Sequence, residues 1–477
     1  MQIKRSDIKV HANAKKVIAK YLDFGVPSPT NRIGRLVADI IKLPEEEIDR
    51  LLTDVFIEFG TRHRHFEILL DEHFQNVVEA VPEDVRLTEK QKKLIGAFFT
   101  MEYTIRSAAL FNPSIVKHPD QTGTAEGENR FIMSLRAVGE GHISSVEFRE
   151  GTISPSGQIT LAPETDFASV AFLDVAKTFK KETLKNRTHI LSGFDISIFD
   201  QLPDAFTKKD FMEIPEANWS DYDAKSRQIL GDIMDSNYDV VIQEKASLSE
   251  SVIFPKAKQE CKGMEDVRFV EFTADNGTST YIGTYTAYNG LRISPQLIIT
   301  RDFKRFKIRT MYGRAVNDKG FALFPEKING KFVMLGRQGG QNITIMYSDD
   351  LFVWDTYENI MTPDVSWSLT QIGNCGSPIK TAEGWLVLTH GVGPMRKNVI
   401  SAILLDLENP ARVIKKLPMP FISPNNEERE GYVPNVVYSC GSMVYKDLLV
   451  IPYAMSDSAT TFGFVNLHEL LDKMEKC

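Results

Sequence analysis

Cysteine is scarce in this chain: four residues in 477, at positions 261, 375, 440 and 477. No two share the spacing of a metal cluster or a disulfide framework, which leaves free thiols in a reducing cytoplasm as their implication. An excess of positive charge is also missing. Lys and Arg number 56 against 64 Asp and Glu, for a net charge of −8, and no basic stripe offers a footprint for nucleic acid. No apolar run approaches the roughly 18 residues of a membrane helix. The N-terminus (MQIKRSDIKVHANAKK) lacks the apolar core of a secretory signal. The Gly-rich loop Gly139-Glu140-Gly141-His142-Ile143-Ser144-Ser145 has no phosphate-loop lysine, and no Gly-x-Ser-x-Gly elbow occurs. These absences argue against nucleotide binding and serine hydrolysis. They point to a cytoplasmic chain with no nucleic-acid, membrane, metal or cofactor partner.

What is present is a recurrence of strands. Apolar or β-branched runs begin at Phe131 (FIMSL), Tyr281 (YIGTYTAY), Phe332 (FVMLG), Trp385 (WLVLTHG) and Leu448 (LLVIPY). The last three follow turn or charge signals: Asn329-Gly330, Glu383-Gly384 and Lys446-Asp447. From 281 onward the repeat is close to the length of a propeller blade. The gap from 131 to 281 is too long for one blade, and residues 175–247 read as a charged helical insertion (DVAKTFKKETLKN, DAKSRQILGDIMDSN). The count predicts an all-β, five-bladed β-propeller over residues 111–477, rather than a two-sheet sandwich. Residues 1–110 read as an α-helical N-terminal extension, packed on the propeller or forming an oligomer contact. In it, Pro27-Ser28-Pro29-Thr30 breaks two helical patterns. Thr30 caps a helix through Leu43, Pro44 opens the next, and Glu45, Glu46 and Glu47 sit near its positive end. Helical spacing recurs over 62–80 and 88–110, Asn112-Pro113 ends the last helix, and His468 to Lys476 forms a closing helix.

The chemistry concentrates at strand ends. Asp266, in Gly263-Met264-Glu265-Asp266-Val267-Arg268, is a carboxylate placed to point into a central channel; its bland alternative is an ion pair with Arg268. Arg136 follows FIMSL, Arg337 follows FVMLG, His390 ends WLVLT, and Asp457 follows LLVIPYAMS. Each alone is ordinary. Together they suit a neutral polyhydroxylated ligand plus an anion. The turns Gly373-Asn374-Cys375-Gly376-Ser377-Pro378 and Val433-Pro434-Asn435 offer amides to hydroxyls, or serve only as turns.

Read together, these segments resemble glycoside hydrolase family 130, the inverting β-mannoside phosphorylases and mannosidases. Met264-Glu265-Asp266-Val267-Arg268 is similar to the family's E-D-P-R, with Val267 in place of Pro. Phe324-Pro325-Glu326-Lys327-Ile328-Asn329-Gly330-Lys331 resembles F-P-E-K-I-x-G-K. Gly384-Trp385-Leu386 through His390-Gly391-Val392 resembles G-W-L…Y-H-G-V, with Thr389 for Tyr. Leu404-Leu405-Asp406-Leu407 with Pro410, and Glu430-Gly431-Tyr432-Val433-Pro434-Asn435-Val436-Val437, resemble L-L-D-L-x-x-P and E-G-x-V-P-N-V-V. The resemblance spans about residues 111–466; the helical N-terminus and the insertion lie outside it.

The resemblance implies a five-bladed propeller with Asp266 as proton donor, acting through a hydroxyl of the bound mannose. It implies sugar contacts from Arg136, Asn374 and Asp457, joined by Glu265, Arg268 and Asn435. Arg337, His390, Arg301 and Arg396 are the implied phosphate-holding set. The expected activity is inverting cleavage of β-linked mannosides, with inorganic phosphate as co-substrate and mannose 1-phosphate as product. An inverting β-1,2-mannosidase is the alternative. It needs a carboxylate base about 6.5–9.5 Å from the acid, for which Glu326 and Glu430 are candidates. A non-catalytic glycan-binding propeller is the second alternative. The partners are then a mannose-containing oligosaccharide, phosphate and a possible second copy of the chain.

Overall fold

The apolar runs become the second strands of five antiparallel meanders. The computed structural model describes residues 3–24, 31–174, 177–214, 223–244 and 246–477. The first meander is built on Ala109–Lys117, Asn129–Val138 and Ser144–Ile153, and the second on Gly263–Thr273, Ser279–Tyr288, Ile293–Thr300 and Arg305–Thr310. The third comprises Ala322–Leu323, Phe332–Gly336, Ile343–Ser348 and Glu358–Met361. The fourth comprises Gln371–Asn374, Trp385–Val392, Asn398–Leu405 and Val413–Lys416. The fifth takes Val437–Tyr438, Leu448–Met455 and Ala459–Asn466, and is completed by Lys4–Arg5 from the chain's start. Central strands such as Trp385–Val392 are buried along their whole length, because both faces pack against neighbours.

Hydrogen bonds lead from each meander to the next. Gly263 bridges Ser144; the Thr273 N–H donates to the Pro325 carbonyl at 2.8 Å; Asn374 Nδ2 donates to the Gly320 carbonyl at 2.6 Å. The Asn398 N–H donates to Asn435 O at 3.0 Å, and the Cys440 N–H returns to Pro113 O at 2.8 Å, joining the fifth meander to the first. Apolar clusters fill the seams. Val333 and Ile345 meet Trp385 and Val387, while Leu404 meets Leu449 and Ile451. Tyr445, Val450 and Phe462 meet Phe131 and Met133, closing the circuit.

The N-terminal region carries helices Arg32–Ile41, Glu45–Phe59, Phe66–Gln75 and Glu89–Phe98 around a core of its own that includes Val37, Leu52, Phe74 and Ile95. The Thr30 cap lies outside the described residues; the helix from Arg32 is capped by Asn31, whose side chain accepts from the Gly34 N–H. The expected helix over 88–110 is shorter. It opens with a Thr88–Gln91 capping box and ends at Phe98, after which Thr100–Thr104 pairs with Val17–Tyr21. β-branched and aromatic residues at Thr100, Tyr103 and Thr104 favour the strand. Asn112-Pro113 does not end a helix. It sits inside Ala109–Lys117, where a bulge between Phe111 and Ser114 accommodates a residue without an N–H. The region before residue 111 is therefore helices plus strands. In the insertion, helices Lys181–Thr188, Lys208–Met212 and Asp223–Asp235 are accompanied by the strands Ala205–Phe206 and Asp239–Val241. The closing helix is Leu467–Asp472, followed by a short strand. Among the described residues no helix is long and apolar enough to cross a membrane.

Candidate active site

Two bulges aim the central polar groups. The strand Gly263–Thr273 shifts register between Glu265 and Arg268, and Asp266 adopts a left-handed φ of 56°. Asn112, at the bulge of the first meander, has φ 49°. Such backbone costs about 1 kcal/mol or more at each non-glycine position and persists only where surrounding contacts enforce it. Here the contacts are direct. Asp266 Oδ1 accepts from Asn112 Nδ2 at 2.7 Å and from Arg136 Nη1 at 3.3 Å. Arg136 also grips Glu265 Oε1 at 2.6 Å and donates to Ser144 Oγ at 2.9 Å. One guanidinium thus ties the carboxylate pair together from the neighbouring meander.

Arg268 lies behind the pair, 3% exposed. It donates to the Asp266 backbone carbonyl at 3.4 Å and to the hydroxyl of Tyr438. The side-chain ion pair that was the bland alternative does not form. The Arg268 charge still acts on Asp266. Burial pushes the Asp266 carboxyl up, but Arg136, Arg268 and Lys319 outweigh it and hold the group below its ordinary value. Burial raises Glu265, and Asp457 is pushed up to about 6 by burial and by the charge of Asp266. Asp457 itself has φ 49° and is close enough to Arg136, Arg396 and Lys319 to feel their charges.

Across the site, Arg337 Nη1 lies 3.2 Å from His390 Nε2, as does Gln371 Nε2. Burial, then the charges of Arg337 and Arg268, press the His390 imidazole far below its usual value. The ring is therefore neutral and, with Nε2 accepting from both donors, carries its proton on Nδ1. The Arg337 side chain has no carboxylate within ion-pair distance among the described residues, and its Nε is buried without a partner. Asn374 is consumed by structure. Its Nδ2 holds Gly320 O, and its Oδ1 accepts from the Gly376 N–H at 3.2 Å, which fixes the turn carrying Lys319. Asn435 has φ 64° and bonds through its backbone to Arg429 and Asn398.

Not every candidate converges. Pro325, next to Glu326, accepts from Thr273, seven residues from Asp266 along one strand and so about 20 Å away. Glu326 pairs there with Lys380 at 2.5 Å. Arg301 follows Thr300, which pairs with Tyr281 and through it with Glu271, at that same far end. The structure brings neither to the carboxylates. Glu430 is exposed, on a loop held to Ser456 by the Val433 N–H at 3.0 Å, beside Asp457. Arg396, exposed with φ 55°, is on the Asp457 side. Sequence reasoning passed over Asn112, Lys319, Gln371 and Tyr438. Asn112 carried a signal, Asn-Pro at the start of a β-rich region; the other three carried none.

The carboxylate pair, an arginine free of carboxylates and a neutral histidine form an arrangement able to hold hydroxyls and an anion side by side. Residues 221–476, more than half of the chain, match the family model described as beta-1,4-mannooligosaccharide phosphorylase. A 1,2-beta-oligomannan phosphorylase of Thermoanaerobacter sp. is 33% identical over 227 residues, 47% of this chain and 75% of that protein. A beta-1,2-mannobiose phosphorylase of the same organism is 35% identical over 212 residues, 43% of this chain and 68% of that protein. Among solved structures, the beta-1,2-mannobiose phosphorylase from Listeria innocua in complex with beta-1,2-mannobiose has a TM-score of 0.48 at 21% identity, covering 78% of this chain and 92% of that one. On the match to the family model and the two relatives, the chain belongs to glycoside hydrolase family 130.

Proposed function

We propose that this protein is an inverting β-mannoside phosphorylase built on a five-bladed propeller, which transfers the mannosyl group of a β-mannoside to inorganic phosphate. The five meanders and their circuit of seams support the propeller. The names of the relatives support the mannoside class. The observation that carries phosphorolysis is Arg337, braced by His390 and offering its guanidinium to no carboxylate. A half-buried cationic donor without a counter-charge is a seat for an anion.

In this reading Asp266 supplies the proton that the departing oxygen needs, relayed through a hydroxyl of the bound mannose. Arg136, Glu265 and Asp457 hold the sugar. Phosphate, held by Arg337 with Arg396 and Lys319 near, attacks the anomeric carbon from the opposite face. The C–O bond to the acceptor breaks as the C–O bond to phosphate forms, so configuration inverts. Being already anionic, phosphate needs no base. Its arrival also opposes the cations that keep Asp266 ionised, and so raises the donor's proton affinity when the proton is required. The hydrolytic reading would draw its base from Glu430, the exposed carboxylate on the loop beside Asp457.

The test is a phosphate titration of initial rates on β-1,2- and β-1,4-mannobiose with product analysis. Phosphate-dependent release of mannose 1-phosphate is expected. A flat response with free mannose as sole product would overturn phosphorolysis in favour of hydrolysis. No turnover on either sugar, with binding retained, would favour the glycan-binding module.

A further inference from the structure

A cavity of about 540 Å³ opens where the N-terminal region meets the first meander and the insertion. That is within the range of small-molecule sites. Lys20 and Tyr21 of the strand Val17–Tyr21 line one side, and His63, Glu72 and His73 line another. Ala168–Leu173, Phe254 to Lys256 and Cys261 close it opposite. Phe172 and Leu173, 50% and 54% exposed, stand among the lining residues. The cavity shares no lining residue with the site around Asp266.

Its charges are unbalanced. Lys20 Nζ lies 5.3 Å from the Tyr103 ring centre and 5.5 Å from that of Phe254. Neither Lys20 nor Lys256 has a carboxylate at ion-pair distance among the described residues; burial pushes the Lys256 ammonium down, against the weaker pull of the Glu260 charge behind it. The third lining cation, Arg64, is spent on Glu250 at 2.8 and 2.9 Å. Burial holds His63 and His73 below their ordinary values, so both are neutral at pH 7. Glu72 is the one carboxylate among the lining residues. A half-enclosed space with two unpaired ammoniums screens charge poorly and favours an anion. Tyr21, stacked on Phe99, and Phe254, packed against Tyr103, give the wall apolar surface for a ring. His63 Nε2 is held by Glu102 and His73 Nδ1 by Thr100, which leaves Glu72, Gln243, His63 Nδ1 and His73 Nε2 for hydroxyls.

The geometry points to a second ligand site in this junction cavity, for a monosaccharide-sized molecule bearing one anionic group, a sugar phosphate or a sugar acid. It stands independently of the reaction proposed above.

Cys261 lines the cavity and is exposed; the other exposed thiol is Cys477, whereas Cys375 and Cys440 are buried. In the Cys477→Ser protein, the rate of Cys261 alkylation by iodoacetamide therefore reads occupancy. The probes are the 6-phosphates of glucose and mannose, the corresponding uronates, and neutral glucose and mannose. At least one anionic class should slow alkylation several-fold and saturably, and the class that does so identifies the source of the anion. The neutral sugars should not. Lys20→Gln with Lys256→Gln should abolish the protection, and Arg337→Ala should leave it intact. Absence of protection by every anionic probe would overturn the proposal. So would equal protection in the double variant, or loss of protection in Arg337→Ala, which would place the bound molecule at the Asp266 site.

Discussion

At Asp266 two forces oppose each other on one carboxyl: dehydration, which favours the neutral acid, and three cations, which favour the carboxylate. The cations win. Replacing Asp266 by Asn keeps the shape and removes the proton. Turnover should fall by about 10²–10⁴-fold with sugar binding retained, as measured by steady-state kinetics beside calorimetry. Near-normal turnover would strip Asp266 of its role. Asp457 behaves oppositely. Its folded value, about 6, stands above the ordinary 3.8, so its ionisation costs stability. That cost is full above about pH 6, shrinks as pH falls, and vanishes below the unfolded value. Asp457→Asn should therefore raise the melting temperature at pH 7.5, and the gain should fade toward pH 4. A gain that is constant with pH would mean that Asp457 does not titrate in this window.

At the scale of elements, the site is made by bulges rather than by any single strand. Strand existence was legible in the sequence because FIMSL, YIGTYTAY, FVMLG, WLVLTHG and LLVIPY are mostly apolar or β-branched, as burial on both faces favours. The bulges were not legible. A register shift leaves no hydrophobic signature, so Asn112-Pro113 read as a helix stop although it is the point where one strand turns its amide onto Asp266. Distance along a strand was equally hidden. Glu326 and Arg301 carry suitable chemistry, but their neighbours pair with the distant halves of the second meander's strands. Conversely, Arg136 and Glu265 meet because the first and second meanders touch at Gly263 and Ser144. The bulge can be tested through the acid it holds. Asn112→Ala deletes a hydrogen bond to a charged group, a contribution of about 1.5–3 kcal/mol. Asn112 helps hold Asp266 low, so its loss should move the descending limb of kcat/KM, where the donor gives up its proton, to higher pH. An unmoved profile would reduce Asn112 to a backbone element.

At the scale of the whole molecule, the chain's two ends meet in the fifth meander, where Lys4–Arg5 pairs with Gly463 and Phe464. This junction is charged as well as hydrogen-bonded. Arg5 Nε donates to Glu428 Oε1 at 2.8 Å, and the Tyr453 hydroxyl donates to that oxygen at 2.6 Å. Glu428 is almost fully buried, and its backbone carbonyl accepts from Ser456 Oγ, the residue before Asp457. The first few residues therefore brace one wall of the site at the far end of the sequence. Burial pushes the Glu428 carboxyl up, but the hydrogen bonds from Arg5 and Tyr453 outweigh it and hold the group low. A lowered carboxyl contributes stability that is present above its unfolded value and is lost as pH falls through the folded one. Arg5→Ala removes the main opposing charge and leaves a buried carboxylate with two neutral donors, the Tyr453 hydroxyl and the Asn425 N–H. Breaking fully buried pairs costs about 3–5 kcal/mol, and the partial exposure of Arg5 scales this to about 1–3 kcal/mol. Chemical denaturation at pH 7.5 should show that loss. The difference from the parent protein should narrow toward pH 4, and turnover should fall with it as the Ser456–Asp457 turn loosens. An Arg5→Ala protein with unchanged stability at both pH values would mean that the circuit closes without its N-terminal strand.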